Sequence, residues 1–118
     1  MSRKPILLVE DDAALRELFS QVLQLAGYAT AGFPSPRSAL DTVFRDPPDV
    51  VIADWNTTID GERFATCLKL AAPAARLIIV SGDPAVQITE ASEADAVLEK
   101  PFPMDALVAA VRRIAPRD

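Results

Sequence analysis

Short apolar runs alternate along this chain with longer segments in which apolar residues recur every three or four positions. Runs of this length, set between helical patterns, are typical of strands that are buried on both faces of a parallel sheet. They predict five strands, at 6–9, 28–32, 50–53, 77–80 and 96–98. The sequence therefore indicates a fold in which strands and helices alternate.

Helical spacing of apolar residues predicts a helix after each of the first three strands, a short helix near 85–91 and a last helix at 104–114. Gly27 supplies a stop for the first helix, and Ser35 followed by Pro36 is a typical start for the second. In the first two helices the residues expected to face inward are Leu15, Leu18, Phe19, Val22, Leu25, Ala39, Leu40, Val43 and Phe44. In the third and last helices they are Phe64, Ala65, Leu68, Ala71, Met104, Leu107, Val108, Val111 and Ile114. Five such alternations predict an α/β fold, a doubly wound parallel sheet with helices on both faces.

Length and charge narrow the classes of function. With 118 residues we expect a single domain spanning 1–118. A net charge of −5 without a cluster of lysines and arginines argues against nucleic acid as a partner. Apolar stretches all fall short of the roughly 20 residues that cross a membrane, and the first strand follows Met1–Pro5 without a signal-peptide core. We therefore expect a cytoplasmic protein with no membrane partner.

Histidine is absent, and Cys67 is the only cysteine. An internal disulfide, a thiolate metal cage and the Ser–His and Cys–His catalytic arrangements are therefore excluded. The chain also cannot carry a phosphohistidine of its own.

Charged and polar residues follow the apolar runs. Glu10 and Asp11 follow the first strand, Asp54 follows the third, Ser81 follows the fourth and Lys100 follows the fifth strand closely. In the flavodoxin-like strand order 2-1-3-4-5, the first and third strands are neighbours, and ligands bind at the carboxyl ends of the strands. Carboxylates that meet in a partly buried crevice repel one another, and a hard divalent cation such as Mg²⁺, or Mn²⁺, removes that repulsion.

Asp54 is then a candidate carboxylate nucleophile toward phosphorus. Lys100 would supply a point charge and Ser81 a hydrogen-bond donor to the phosphoryl oxygens. Taken singly, each acid could instead cap a helix or a loop, and Lys100 could be a solvated lysine in a proline turn. All of these residues are predicted to lie at the carboxyl ends of the strands, which favours a shared site.

These residues resemble, over essentially the whole chain, the receiver domain of two-component response regulators, in its stand-alone, CheY-like form. The matching motifs, which are specific through their order and spacing, are Val9-Glu10-Asp11-Asp12, Pro48 through Asn56, Asp60-Gly61, Ser81-Gly82, Ala94-Asp95 and Lys100-Pro101-Phe102.

The resemblance implies that Asp54 accepts a phosphoryl group from a histidine kinase or phosphotransfer protein. Asp11, Asp54 and the backbone carbonyl of Asn56 would bind Mg²⁺, and Glu10 would act through water. Ser81 and Lys100 would contact the phosphoryl oxygens. The only catalysis implied is self-phosphorylation and self-dephosphorylation. Output would pass to an unknown downstream protein, with the chain a monomer or a weak dimer.

The sequence departs from the family pattern around the acceptor and the output surface. The loop from Asp54 to Gly61 looks about one residue short, and the segment from Ser81 to Lys100 about three residues short. Val97 stands where the family usually carries Tyr or Phe. We therefore expect Ser81 and Val97 to couple phosphorylation to output through a backbone or packing shift, because an aromatic flip is not available.

Two polar residues bear on the lifetime of a phosphorylated form. Asn56 lies two residues after Asp54, and Asp83 two residues after Ser81, so both would flank the water that attacks an acyl phosphate. We expect hydrolysis to be faster than with apolar residues at these positions.

Three alternatives belong to other classes. A degenerate receiver would keep the fold as an interaction module without phosphorylation, and the altered loops favour it. A phosphatase of the haloacid dehalogenase type also uses an aspartate after a strand, but Asn56 replaces its second acid. A flavodoxin that binds FMN is disfavoured, because the acidic loop at 10–12 would repel phosphate.

Overall fold

The computed structural model describes residues 4–54, 61–82 and 94–115, with the backbone alone at 61–63. The predicted short helix near 85–91 lies outside these ranges. The elements of the described part are β1 (Ile6–Val9), α1 (Ala13–Leu25), β2 (Thr30–Phe33), α2 (Pro36–Arg45), β3 (Val50–Asp54), α3 (Gly61–Ala71), β4 (Arg76–Ser81), β5 (Ala96–Glu99) and α4 (Met104–Ile114).

The strands form one parallel sheet in the order β2-β1-β3-β4-β5, which confirms the predicted fold. β1 pairs with β2 on one side and with β3 on the other, so the strand order reverses at β1. A reversal of this kind opens a crevice at the carboxyl ends of the strands. The observed topology therefore contains the crevice that the sequence predicted at the carboxyl ends of the strands.

Side chains alternate between two apolar layers, as the two-residue period of a strand requires. One layer contains Leu7, Val9, Val51, Ala53, Leu77 and Ile79, and it packs with buried residues of α2 and α3. The other contains Ile6, Leu8, Val50, Ile52, Ile78 and Val80, and it packs with buried residues of α1 and α4. The central strands are thus covered on both faces, which explains their nearly continuous apolar sequence.

Local signals place the helix ends where the sequence predicts them. The Asp12 carboxylate accepts the backbone N–H groups of Ala14 and Leu15, at 2.9 and 3.2 Å, and so caps α1. Ser35 caps α2 in a reciprocal arrangement with Ser38. Gly27 follows α1 with φ +99°, a conformation that favours glycine.

Several inward-facing predictions were wrong. Leu18, Leu25 and Phe44 are 41%, 89% and 60% exposed, whereas Leu23, which was not predicted to face inward, is fully buried. Phe19 and Leu23 lie one turn apart, and this stripe of α1 faces the sheet. β2 begins at Thr30, two residues later than predicted.

Each helix in the described ranges is too short or too polar to span a membrane.

Candidate functional site

Four strand ends converge on one crevice. Glu10 follows β1, and Asp54 and Ser81 are the last residues of β3 and β4. Lys100 follows β5, and its backbone N–H donates to the Ser81 carbonyl at 2.7 Å. Pairing of β1 with β3 and of β4 with β5 sets these residues at one edge of the sheet.

Three carboxylates gather at this edge. One carboxylate oxygen from each of Glu10, Asp11 and Asp54 lies within 4.8 Å of the other two. Glu10 and Asp54 are only 2% and 4% exposed, whereas Asp11 lies at the surface. The cluster is therefore buried on its inner side and open to solvent at Asp11.

Lys100 bridges the two buried carboxylates. Its Nζ donates to Asp54 Oδ2 at 3.1 Å and lies 3.5 Å from Glu10 Oε1. Burial lowers the pKa of Lys100, but the hydrogen bond to Asp54 and the charges of Asp54 and Glu10 outweigh it, so the pKa is raised above its usual value. The ammonium therefore stays charged and partly neutralises the acidic pair.

Glu10 carries the largest electrostatic cost. Its Oε2 accepts the Asp12 backbone N–H at 3.2 Å, but its buried Oε1 has no hydrogen-bond donor within the described residues. Burial raises the pKa of Glu10 to about 7, and hydrogen bonding of its protonated form to Asp54 adds to the effect. The Lys100 ammonium alone therefore does not neutralise the three carboxylates of this cluster.

Arg16 holds the loop that carries Glu10, a role that the sequence analysis missed. Its Nη1 donates to the Glu10 backbone carbonyl at 2.7 Å. The arginine stem lies over Gly32, where an added Cβ would come within 3.0 Å of the Arg16 Cδ. Spacing in the sequence could have indicated this role, because Arg16 lies one turn after the Asp12 cap, on the first turn of α1.

The donor set suits a hard divalent cation. The oxygens of Glu10, Asp11 and Asp54 are carboxylate ligands of the kind that Mg²⁺ accepts, and the described part of the chain offers no imidazole or thiolate beside them. The unsatisfied Glu10 Oε1 and the mutual repulsion of the acids are the conditions that a cation would relieve. The residues present therefore fit Mg²⁺ and do not fit zinc.

The remaining predicted residues divide into two groups. Ser81 is buried at the end of β4, and Val97 is half-buried on β5, in register with Ile79. Asn56 and Asp83 lie outside the described residues, as do most of the two loops predicted to be short. Their proposed effects on metal binding, hydrolysis and switching stay predictions.

Comparison with known proteins links this geometry to one family. The profile of the response regulator receiver domain matches residues 6–112. The chain is 35% identical to the C4-dicarboxylate transport transcriptional regulatory protein DctD of Pseudomonas aeruginosa, a match that covers 92% of this chain and 24% of that protein. It is 30% identical to sporulation initiation phosphotransferase F of Bacillus subtilis over 98% of this chain and 97% of that protein.

Among solved structures, the response regulator protein TrrA of Thermotoga maritima, in complex with Mg²⁺-BeF, superposes with a TM-score of 0.85. It is 28% identical and the match covers 97% of this chain and 99% of that chain. The chain spans about a quarter to a half of the length of the first four curated relatives that it matches.

Proposed function

The chain belongs to the response regulator receiver domain family, and from that premise we propose that it is a phosphoacceptor of two-component signal transduction, with Asp54 as the accepting residue. The phosphoryl donor would be a histidine kinase or a phosphotransfer protein. The observation that carries the proposal is the cluster of Glu10, Asp11 and Asp54 facing the Lys100 ammonium. The lack of histidine in this chain agrees with a donor in another protein.

The proposed reaction is a transfer between two protein side chains. An Asp54 carboxylate oxygen attacks the phosphorus of the donor phosphohistidine, a P–O bond forms and the P–N bond breaks, with its electron pair returning to the imidazole. Lys100, already 3.1 Å from Asp54, offsets negative charge that gathers on the phosphoryl oxygens. Ser81, at the end of the neighbouring strand, is the proposed hydrogen-bond donor to those oxygens.

Mg²⁺ is the proposed cofactor, and Mn²⁺ offers the same preference for oxygen ligands. Asp11 and Asp54 would hold it directly, Glu10 through water, and the Asn56 carbonyl is a further proposed ligand. When bound, the cation neutralises the acidic cluster and the incoming phosphoryl oxygens. The likeness to TrrA, whose structure is a complex with Mg²⁺-BeF, supports this proposal.

Output is proposed to pass through the Lys100 side of the crevice to an unidentified downstream protein. When Asp54 carries a phosphoryl group, Lys100 exchanges its hydrogen bond to Asp54 and its ion pair with Glu10 for hydrogen bonds to the new oxygens. The backbone N–H of Lys100 donates a hydrogen bond to the Ser81 carbonyl. Val97 lies three residues before Lys100, on β5. A shift of β5 is therefore the proposed route from the acceptor to the surface.

Mass spectrometry of the intact protein tests the proposal directly. Incubation with Mg²⁺ and a small phosphodonor should add one phosphoryl group to the wild type and none to Asp54→Asn. Asp49→Asn is a matched control, because Asp49 precedes the same strand at its opposite end. The fluorescence of Trp55, the only tryptophan and the neighbour of Asp54 in sequence, should respond to Mg²⁺.

The outcomes separate the proposal from its alternative. Phosphorylation that requires Asp54 and survives Asp49→Asn supports it. A chain that binds Mg²⁺ but gains no phosphoryl group would instead be an interaction module that keeps the receiver fold. Phosphorylation retained in Asp54→Asn would show that the acceptor is another residue.

A further inference from the structure

A polar stripe runs along the side of α1 that faces the edge strand β2. Its members, Arg16, Ser20 and Gln24, recur every four residues and therefore lie on one side of the helix. The Ser20 hydroxyl and the Gln24 amide are both hydrogen-bonded to the Thr30 hydroxyl on β2. The Arg16 stem lies against Gly32, two residues further along the same face of the strand. The stripe therefore holds α1 against β2 and directs Arg16 along the strand.

The backbone of Glu10 is held on two sides by this arrangement. Its N–H donates to the Phe33 carbonyl at the end of β2, at 3.0 Å. Its carbonyl lies before α1, whose first backbone hydrogen bond goes to the Asp12 carbonyl, so a donor must come from elsewhere. Arg16 Nη1 supplies that donor at 2.7 Å, a short bond from a charged group. The course of the chain through Glu10 and Asp11 is therefore fixed by β2 and α1 together.

Gly32 leaves the room that the Arg16 stem needs to reach this carbonyl. A Cβ at position 32 would lie 3.0 Å from Arg16 Cδ and 3.2 Å from Cγ. Carbon atoms in ordinary contact lie about 3.5–4.0 Å apart, and these two atoms are in the middle of the stem, where it cannot simply swing aside. The φ of Gly32 is not positive, so its backbone does not itself require glycine. The space for Arg16 is therefore what distinguishes glycine from other residues here.

We propose that Arg16 is a positioning residue of the acidic site, which raises the affinity for Mg²⁺ by fixing the Glu10 carbonyl, and that Gly32 permits this contact. The inference rests on the proposed function, in which Asp11 and Asp54 hold the cation and Glu10 acts through water. Among the described residues Arg16 forms no ion pair with a carboxylate, so it acts through the backbone of the loop. The edge strand β2 thereby becomes part of the support of the site.

Charge alone predicts an effect of the opposite sign. A guanidinium close to the acidic cluster repels a dication, so its removal would by itself tighten Mg²⁺ binding. Loss of the hydrogen bond to Glu10 instead frees the turn that carries Asp11, and the carboxylates must then be ordered when the cation binds. Removal of a group that orients metal ligands typically weakens metal binding about 10–100-fold. The direction of the change therefore separates positioning from electrostatics.

Titration calorimetry of the metal-free chain with MgCl₂ makes the first test. Arg16→Met keeps an apolar stem but removes the donor, and it should raise the dissociation constant for Mg²⁺ about tenfold or more. Arg45→Met is the matched control, because Arg45 also donates to a backbone carbonyl, that of Asp41 at 3.4 Å, but lies exposed on α2. Its dissociation constant should stay within about twofold of the wild type. Asp11→Asn should weaken binding and so shows that the titration reports the proposed site.

Gly32→Val tests the same contact without changing Arg16. A β-branched residue favours an exposed edge strand and offsets the lost hydrogen bond, so urea unfolding without metal should give a stability close to that of the wild type. The dissociation constant for Mg²⁺ should nevertheless rise about tenfold, as in Arg16→Met. The double variant Arg16→Met/Gly32→Val should bind Mg²⁺ no more weakly than Arg16→Met alone, because the same contact is already absent.

The outcomes distinguish this inference from the proposed function. Mg²⁺ binding that is unchanged or tighter in Arg16→Met, while Asp11→Asn weakens it, would overturn the role of Arg16 and leave the proposed cofactor in place. Additive losses in the double variant would show that Gly32 acts independently of Arg16, against the inference. A wild type that binds no Mg²⁺ would overturn the proposed cofactor, and the role of Arg16 with it.

Discussion

The two sides of the acidic crevice differ in the burial of the strands that carry them. β1 and β3 are buried at every residue, and Glu10 and Asp54 at their ends are nearly inaccessible. β5 lies at the edge of the sheet, none of its residues is fully buried, and the Lys100 side chain beyond it is 23% exposed. The carboxylates are therefore held by the core, whereas the counter-charge follows an edge strand that has no fully buried residue.

This difference indicates which side yields when the charge in the crevice changes. Moving Glu10 or Asp54 would disturb both apolar layers, because β1 and β3 contribute to each of them. Within the described ranges, moving Lys100 disturbs half-buried contacts of β5 and one strand pairing, that with β4. A cation or a phosphoryl group would therefore be felt first at β5.

We expect the largest effect on stability from removal of the Lys100 ammonium. In metal-free protein at pH 8, Lys100→Gln should lower the free energy of unfolding by about 3 kcal/mol, because two buried carboxylates lose the ammonium that lies between them. Lys4→Gln is the control, since Lys4 lies 3.2 Å from Asp46 and both side chains are largely exposed. Removal of that surface pair should cost less than about 1 kcal/mol.

Urea unfolding in the presence of a chelator measures both losses. The distances in the two pairs are nearly equal, 3.1 Å for Lys100 to Asp54 and 3.2 Å for Lys4 to Asp46, so burial is the variable. Equal losses in the two variants would contradict the assignment of Lys100 as the charge that holds the crevice together.

A pH series isolates the carboxylate side. The pKa of Glu10 in the folded chain is about 7, against an ordinary value of 4.5, so the folded state binds more protons than the unfolded state between those values. Stability contributed by Glu10 is therefore present at acid pH and is lost as pH rises through 7. Between pH 5.5 and 8 the metal-free protein should lose about 2 kcal/mol from this group.

Glu10→Gln removes this titration, so the stability of the wild type should fall by about 2 kcal/mol relative to that of Glu10→Gln across the same range. Thermal and urea unfolding at several pH values, again without metal, supply the measurement. A wild type whose stability rises relative to Glu10→Gln from pH 5.5 to 8 would show that the sign of the shift is wrong.

The sequence predicted the fold well because its signals were local and repeated. Each apolar run became a strand, and the caps at Asp12 and Ser35 mark helix starts in the structure. On α1 the prediction was right for Phe19 and wrong for Leu18 and Leu25, because two apolar stripes share that helix. The stripe of Leu18 and Leu25 cannot be told from that of Phe19 and Leu23 by spacing alone, and only packing on the sheet decides between them.

The sequence predicted where the site lies in the fold, but not which of its side chains contact one another. Residues that follow neighbouring parallel strands lie together at the carboxyl end of the sheet, so the nearness of Glu10, Asp54 and Lys100 followed from topology. The ion pair of Lys100 with both acids and the hold of Arg16 on the Glu10 carbonyl did not, because they depend on side-chain reach between distant segments.

The smallest expected difference, about 1–2 kcal/mol between two variants, compares the packing of the two sides directly. Val51 on β3 is fully buried, Val97 on β5 is partly buried, and both pack in the same apolar layer. Truncation to alanine removes the same atoms, so Val51→Ala should lower the free energy of unfolding by about 2–3 kcal/mol and Val97→Ala by about 1 kcal/mol. Urea unfolding of both variants at the same pH, near 5, keeps Glu10 protonated in the folded state of each, so its contribution cancels when the two losses are compared. Equal losses would mean that β5 is packed as firmly as β3, and the proposed route of the signal through the edge strand would lose its physical basis.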